Sequence, residues 1–257
     1  MATRTPAVVA LHASASSARQ WQPLAAALAP RFRVHAVDLH GHGERSPWQA
    51  ERALSLADEA ALVAPLLDRC GEVHLVGHSY GGAVALKLAA TYPGHVRSLT
   101  VYEPVMFRWL VEAHATEIAD VLDVADAISR HLAFGSAFDA ARAFVDFWSG
   151  TGTWDAIAAA GQDAVAARMR AVSAQFDALF LEPLALSEVA RLCVPTMVLT
   201  GARTLPVMQR LSDAMRGVMH ARHGVIAGAG HMGPITHADA VNGEVARFVD
   251  GLARIAA

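Results

Sequence analysis

The chain has 257 residues, enough for one large α/β domain or two small ones around a buried core. Hydrophobic residues make up 54% and charged residues 18%, which excludes an intrinsically disordered chain. With 21 Lys and Arg against 24 Asp and Glu, the net charge of −3 lacks the basic footprint of a nucleic-acid binder. No apolar run reaches the length of a membrane span, and the first residues lack the apolar core of an export signal, so a cytoplasmic protein is expected. Cys70 and Cys193 stand outside any metal-ligand spacing and are expected as reduced, packed thiols. Only one basic residue, Lys87, is a lysine, the usage of a GC-rich bacterial genome.

In chain order, residues 6–12 (PAVVALH), 33–39 (RVHAVDL), 73–77 (VHLVG) and 96–102 (VRSLTVY) read as strands. Helices are expected between them at about residues 20–29, 54–69 and 80–91, the last closed by Pro93 and Gly94. Strands that read as apolar runs and alternate with helices imply a parallel sheet covered on both faces. The rhythm then breaks. Residues 104–193 carry only Ala-rich helical stretches with bulky aromatics, and this composition favours a packed helical cap over a linker. The alternation resumes with a strand at 195–200, a helix near 206–216 and a short strand at 224–227. A final amphipathic helix places Val241, Val245, Phe248, Val249 and Leu252 on one face. The expected division is a core of residues 1–103 and 194–257, with 104–193 as a helical cap inserted in it.

The stretch Gly77-His78-Ser79-Tyr80-Gly81-Gly82 carries chemistry. A G-x-S-x-G pattern arises by chance in about one such chain in ten, so its context decides. Here a strand precedes it and a helix follows. A turn that sharp lifts the Ser79 hydroxyl above the sheet and points the helix N-terminus and the Tyr80 N–H at developing negative charge. A serine nucleophile needs a base, and most of the 13 histidines must be bystanders. His231, in Gly228-Ala229-Gly230-His231-Met232, follows the last strand and so lies at the carboxyl edge with Ser79. His78 points away along the turn and reads as structural, whereas His40 and His42 lie in a loop at the same edge, within reach of a substrate.

These landmarks resemble those of the α/β-hydrolase superfamily over nearly the whole length, in a capped, serine-nucleophile branch of esterase and carbon–carbon hydrolase type. Residues 11–16 (LHASAS) resemble its HG-x-x-G oxyanion loop, and residues 38–46 (DLHGHGERS) match its D-x-x-G-x-G-x-S turn, with Asp38 organising the loop. The resemblance implies oxyanion donors at the Ser14 and Tyr80 amides. Two departures stand out. Ala13 and Ser16 replace family glycines, and the usual acid position after the strand at 195–200 holds Thr204. A variant arrangement in the superfamily seats the acid after the preceding strand, where this chain has Glu103. The alternative for Glu103 is a hinge residue paired with an arginine such as Arg108. Thr204 is then expected to be dispensable, and Asp213 belongs to a helix.

The implied fold is an α/β-hydrolase fold with a mostly or wholly parallel sheet of about six strands, helices on both faces and an inserted cap. The implied activity is cleavage of a carboxylic ester (esterase, lactonase or thioesterase) through an acyl-Ser79 intermediate, with Ser79, Glu103 and His231 as triad and no metal or organic cofactor. The alternatives are a carbon–carbon bond hydrolase of aromatic degradation and a non-catalytic ligand-binding member. His12, Phe107, Trp109, Trp148 and Met232 are the candidate pocket residues. The expected partner is a small-molecule ester or acyl substrate, without nucleic acid or membrane. The strand at 33–39 lies at a sheet edge, and the chain is expected as a monomer or as a homodimer paired there.

Overall fold

A computed structural model of the protein describes residues 5–255. Residues 1–4, part of the stretch that bears on export, lie outside the described residues. Six strands, β1 (Ala7–Leu11), β2 (Arg33–Val37), β3 (Val73–His78), β4 (Val96–Tyr102), β5 (Thr196–Gly201) and β6 (Ala221–Ile226), form one sheet in the order β2-β1-β3-β4-β5-β6. Every pair in it is parallel. All six expected strands are present. β6 begins earlier than its apolar residues suggest, because an edge strand is not buried on both faces and shows no continuous apolar run.

Alternation along the strands sends side chains into two cores. Val8 and Ala10 of β1 join Met197 and Leu199 of β5 on one face, while Val9 and Leu11 join Leu75, Leu99 and Val198 on the other. The first face is covered by α1 (Gln22–Leu28), through Leu24 and Leu28, and by the C-terminal helix (Ala238–Ile255), through Val241, Val245, Phe248 and Val249. On the second face lie α2 (Leu56–Cys70), α3 (Tyr80–Thr91) and the helix Pro206–Val218. A capping box starts α2: the Ser55 hydroxyl accepts from Asp58 N at 3.3 Å and Asp58 Oδ2 accepts from Ser55 N at 3.0 Å.

Between β4 and β5 the chain is helical without a strand: α4 (Phe107–Glu112), α5 (Ala119–Ala133), α6 (Ala137–Ser149), α7 (Thr153–Ala156), α8 (Ala159–Ala166), α9 (Met169–Leu181) and α10 (Leu186–Val189). The helix after β5 is α11, followed after β6 by α12 (Gly233–Thr236) and the C-terminal α13. Most aromatics of this segment are buried, and its apolar side chains form one continuous cluster with the second sheet face. Polar contacts stitch it to its surroundings: Lys87 Nζ of α3 pairs with the buried Glu182 at 2.8 Å, and Arg168 donates to Ala15 O at 2.9 Å. Within the segment, Trp109 Nε1 donates to Leu184 O at 2.7 Å. Phe134, by contrast, is 88% exposed. Both cysteines are free, but Cys193 is exposed rather than packed, because it lies in the turn that leads into β5.

Candidate active site

The turn from β3 into α3 holds Ser79 at φ 54°, ψ −118°, outside the ordinary regions for a residue with a side chain. Strain of this kind costs about 1–3 kcal/mol and persists only when the surroundings over-determine it. They do so here through close approach. A Cβ at Gly77 would sit 2.4 Å from Gly81 O, and one at Gly81 would sit 2.4 Å from Leu11 O. The backbone is tied on both sides as well, by Ser79 N to Tyr102 O at 3.0 Å and Gly81 N to His12 O at 3.1 Å.

Three side chains from the carboxyl edge of the sheet meet in a buried line. The Ser79 hydroxyl lies 2.9 Å from His231 Nε2, and His231 Nδ1 lies 2.8 Å from Glu103 Oε2. His231 and Glu103 are both almost wholly buried. A carboxylate at Glu103 selects the tautomer with the proton on Nδ1, which leaves Nε2 to accept from the hydroxyl. The Glu103 carboxylate accepts two further bonds: Oε1 from Gly201 N and Oε2 from the Thr204 hydroxyl, each at 2.7 Å. The sequence reading expects nothing of Thr204 and misses this contact. Position 204 has no charge, yet its hydroxyl anchors the carboxylate that arrives from the neighbouring strand. Arg108, the alternative partner for Glu103, pairs instead with Glu112 one helical turn away. Asp213 lies on the outer face of α11, near Arg216 and Gln209.

Neither the Ser14 amide nor the Tyr80 amide has an acceptor among the described residues. Ser14 sits in a loop whose next residue, Ala15, is at φ 58°, so the left-handed position of this alanine-for-glycine loop falls one residue before Ser16. His12 and His42 serve this loop. His12 Nε2 accepts from Leu39 N at 3.1 Å and His42 Nε2 accepts from Ala15 N at 3.0 Å, while each Nδ1 donates to a backbone carbonyl. Burial pushes His12 down to about 3 and His42 down as well, so both stay neutral acceptors. They brace the loop through both ring nitrogens, and the His40 ring lies 2.9 Å from the fully buried Glu59. Asp38 accepts from Ala18 N at 2.7 Å and Glu44 N at 3.1 Å.

His78, beside Ser79 in sequence, has a definite task. Its Nε2 donates to His231 O at 2.8 Å and its Nδ1 accepts from Gln20 Nε2 at 3.1 Å. Gln20 Oε1 in turn accepts from Ala13 N at 3.1 Å. One hydrogen-bonded chain thus joins the Ala13 loop to the His231 loop. Burial, and next the adjacent His231, hold His78 well below its usual pKa and keep it neutral for this pairing. Only the histidine preceding Ser79 hinted at this link in the sequence, because its partners are 58 and 153 residues away.

Two cavities flank the line of side chains. A narrow apolar slot of about 10 Å³, the room of a single water, is bordered by Ser14, Ser79, Val105, Phe107, Phe144, Trp148, Phe176 and Leu179. A wider hollow of about 490 Å³ is bordered by Phe147, Trp148, Arg203, Gly230, His231, Met232 and His237, among others. Trp148 borders both, with its ring centroid 4.1 Å from that of His231. Of the expected pocket residues, Phe107 and Trp148 border the slot and Met232 borders the hollow. His12 and Trp109 border neither: the first is spent on the loop and the second on Leu184 O. Phe144, Phe176 and Leu179 were not singled out beforehand, since a helical face shows which residues are buried but not what they are buried against.

Sheet order, elbow and the Glu103–His231–Ser79 line define one class of protein, and the chain belongs to the alpha/beta hydrolase family, whose sequence model matches residues 8–244. It is 38% identical over 149 residues to lipase LipV of Mycobacterium tuberculosis, a match spanning 57% of this chain and 51% of the relative. It is 41% identical over 97 residues to the pimeloyl-[acyl-carrier protein] methyl ester esterase of Aeromonas hydrophila, spanning 37% of this chain and 36% of that one. The chain thus covers about half or less of these relatives' length. In fold it is similar to the enol-lactonase from Burkholderia xenovorans LB400, with a TM-score of 0.76 at 20% identity over 96% of this chain and 92% of the other. Among the described residues no helix is long and apolar enough to cross a membrane.

Proposed function

We propose that this protein is a serine hydrolase that cleaves a small carboxylic ester through an acyl-Ser79 intermediate. The observation that carries the reading is the buried relay of 2.9 Å and 2.8 Å from Ser79 through His231 to Glu103. In this reading His231 removes the Ser79 proton as the oxygen attacks the ester carbonyl. The tetrahedral oxyanion is held by the Ser14 and Tyr80 amides. His231 then returns the proton to the departing oxygen, and water reverses the sequence to release the acid. Glu103 holds the tautomer and stabilises the imidazolium, with Gly201 and Thr204 fixing its carboxylate. The names of the relatives, a lipase and a methyl ester esterase, support ester cleavage.

Residues 104–193 act in this reading as a cap that walls the acyl group into the apolar slot. The slot beside Ser79, about 10 Å³, is closed to the size of one water, so Phe107, Phe144 and Phe176 must shift to admit an acyl chain, and in this reading a short apolar chain asks for the smallest shift. The test is labelling with a fluorophosphonate followed by a panel of p-nitrophenyl esters, lactones and a ring-cleavage product. Wild-type protein should be labelled once, Ser79→Ala should not be labelled, and short esters should be turned over fastest. An unlabelled wild-type protein refutes the acyl-enzyme reading. Turnover of the ring-cleavage product with no activity on esters assigns the carbon–carbon chemistry instead.

A further inference from the structure

The wider hollow carries one cation that ester cleavage alone does not require. Arg203 borders it, and none of its bordering residues is a carboxylate. Arg203 is exposed, and its guanidinium has no ion pair or hydrogen bond among the described residues. Its backbone, however, is held in place. Arg203 N donates to Ala229 O at 2.8 Å, Ala202 N donates to Ile226 O at 3.0 Å, and the adjacent Thr204 is bonded to Glu103. The cation is therefore carried on a segment locked to the loop of His231. The N-terminal end of α11 begins just beyond it at Pro206, and Leu205 borders the same hollow, so the helix adds partial positive charge on that side.

The chemistry distinguishes the two cavities. In acyl transfer the imidazole returns its proton to the departing oxygen, so the leaving group must lie against His231. The acyl carbonyl must lie between Ser79 and the oxyanion donors. Ser79 and Ser14 border the slot, whereas His231 borders the hollow. Resting on the ester-cleaving reading, we infer that the hollow is the leaving-group subsite and that Arg203 selects substrates whose departing alcohol or thiol carries an anionic substituent, a carboxylate or a phosphate. Because Arg203 is exposed, the preference is modest, about three- to fivefold at low salt, and weakens as salt is added.

Two butyrate esters that differ in one substituent test this: 3-carboxyphenyl butyrate, anionic, and 3-carbamoylphenyl butyrate, neutral. The readout is the ratio of their kcat/KM values at low salt, compared between proteins so that intrinsic reactivity cancels. From wild type to Arg203→Gln the ratio should fall about three- to fivefold, and Arg203→Glu should lower it further. Arg210→Gln, which removes an exposed arginine on α11 itself, should leave the ratio at the wild-type value. A ratio unchanged by Arg203→Gln overturns the inference. A second arm needs no turnover. Calorimetry on Ser79→Ala protein should show 3-hydroxybenzoate binding more tightly than 3-hydroxybenzamide, with the difference lost when Arg203→Gln is added. Equal binding of the two phenols refutes the anion subsite alone, whereas failure of fluorophosphonate labelling in wild type refutes the acyl-enzyme reading alone.

Discussion

Replacing Glu103 with glutamine changes one atom, and the geometry dictates the consequence. Glu103 Oε1 accepts from Gly201 N, while Oε2 accepts from both Thr204 and His231 Nδ1. A glutamine offers one acceptor oxygen and one NH₂ group. Gly201 N is a backbone donor fixed in β5, so the amide oxygen must face it or two N–H groups confront each other in a buried site. The NH₂ then faces His231 Nδ1, the ring proton moves to Nε2, and Ser79 meets a donor where it needs an acceptor. The expected loss in kcat is about 10²–10⁴-fold. Loss of a charge-assisted bond should also lower stability by about 1–3 kcal/mol, leaving a folded protein. The assay is burst-calibrated kcat on p-nitrophenyl butyrate, with circular dichroism as the check on folding. Adding Thr204→Asp should restore part of the rate, because the Thr204 hydroxyl already lies 2.7 Å from the carboxylate oxygen that meets His231. A Glu103→Gln enzyme at full rate refutes the reasoning, and together with a crippled Asp213→Asn enzyme it moves the acid to Asp213.

Three further outcomes are expected. Thr204→Ala removes one hydrogen bond of about 1 kcal/mol from Glu103 and should slow turnover about fivefold, with Thr204→Ser restoring it; wild-type rate for the alanine variant would show that the remaining bonds suffice. Gly81→Ala places a Cβ 2.4–2.5 Å from the Leu11 and His12 carbonyls, so soluble yield and melting temperature should collapse, whereas Gly94→Ala, with open space around it, should be tolerated in the same assay. Acid should destabilise the fold, since burial holds His12 at about 3 and His74 at about 4. The unfolded chain binds these protons near pH 6.5, so stability is intact above that value and falls between it and about pH 4, by about 1.4 kcal/mol per unit for each histidine. At pH 5 the two together amount to about 4 kcal/mol, and His42 and His78 act in the same direction. Equal denaturant midpoints at pH 7.5 and pH 5 would contradict this account.

Local chemistry made much of this protein legible in its sequence. β1, β3, β4 and β5 are buried on both faces, so their apolar runs announce them, and the break in alternation after Tyr102 marks the helical segment. The glycines around Ser79 write the elbow into the sequence, because only residues without a Cβ tolerate backbone 2.4 Å away. His231 was found by its place after the last strand, which parallel topology carries to the edge of Ser79, whereas Glu103 was reached through the resemblance, whose variant seats the acid after the neighbouring strand. What the tertiary structure decided are contacts between residues far apart in the chain. Nothing in the pattern around Thr204 shows that its hydroxyl meets a carboxylate 101 residues earlier, and nothing around His12 shows that its ring is consumed by Leu39. The edge strand β6 and the exposed Cys193 were misjudged for a related reason. Composition reports how often a residue is buried, whereas burial at a given position depends on which neighbour packs there, and that neighbour is set by the crossing of helices and strands.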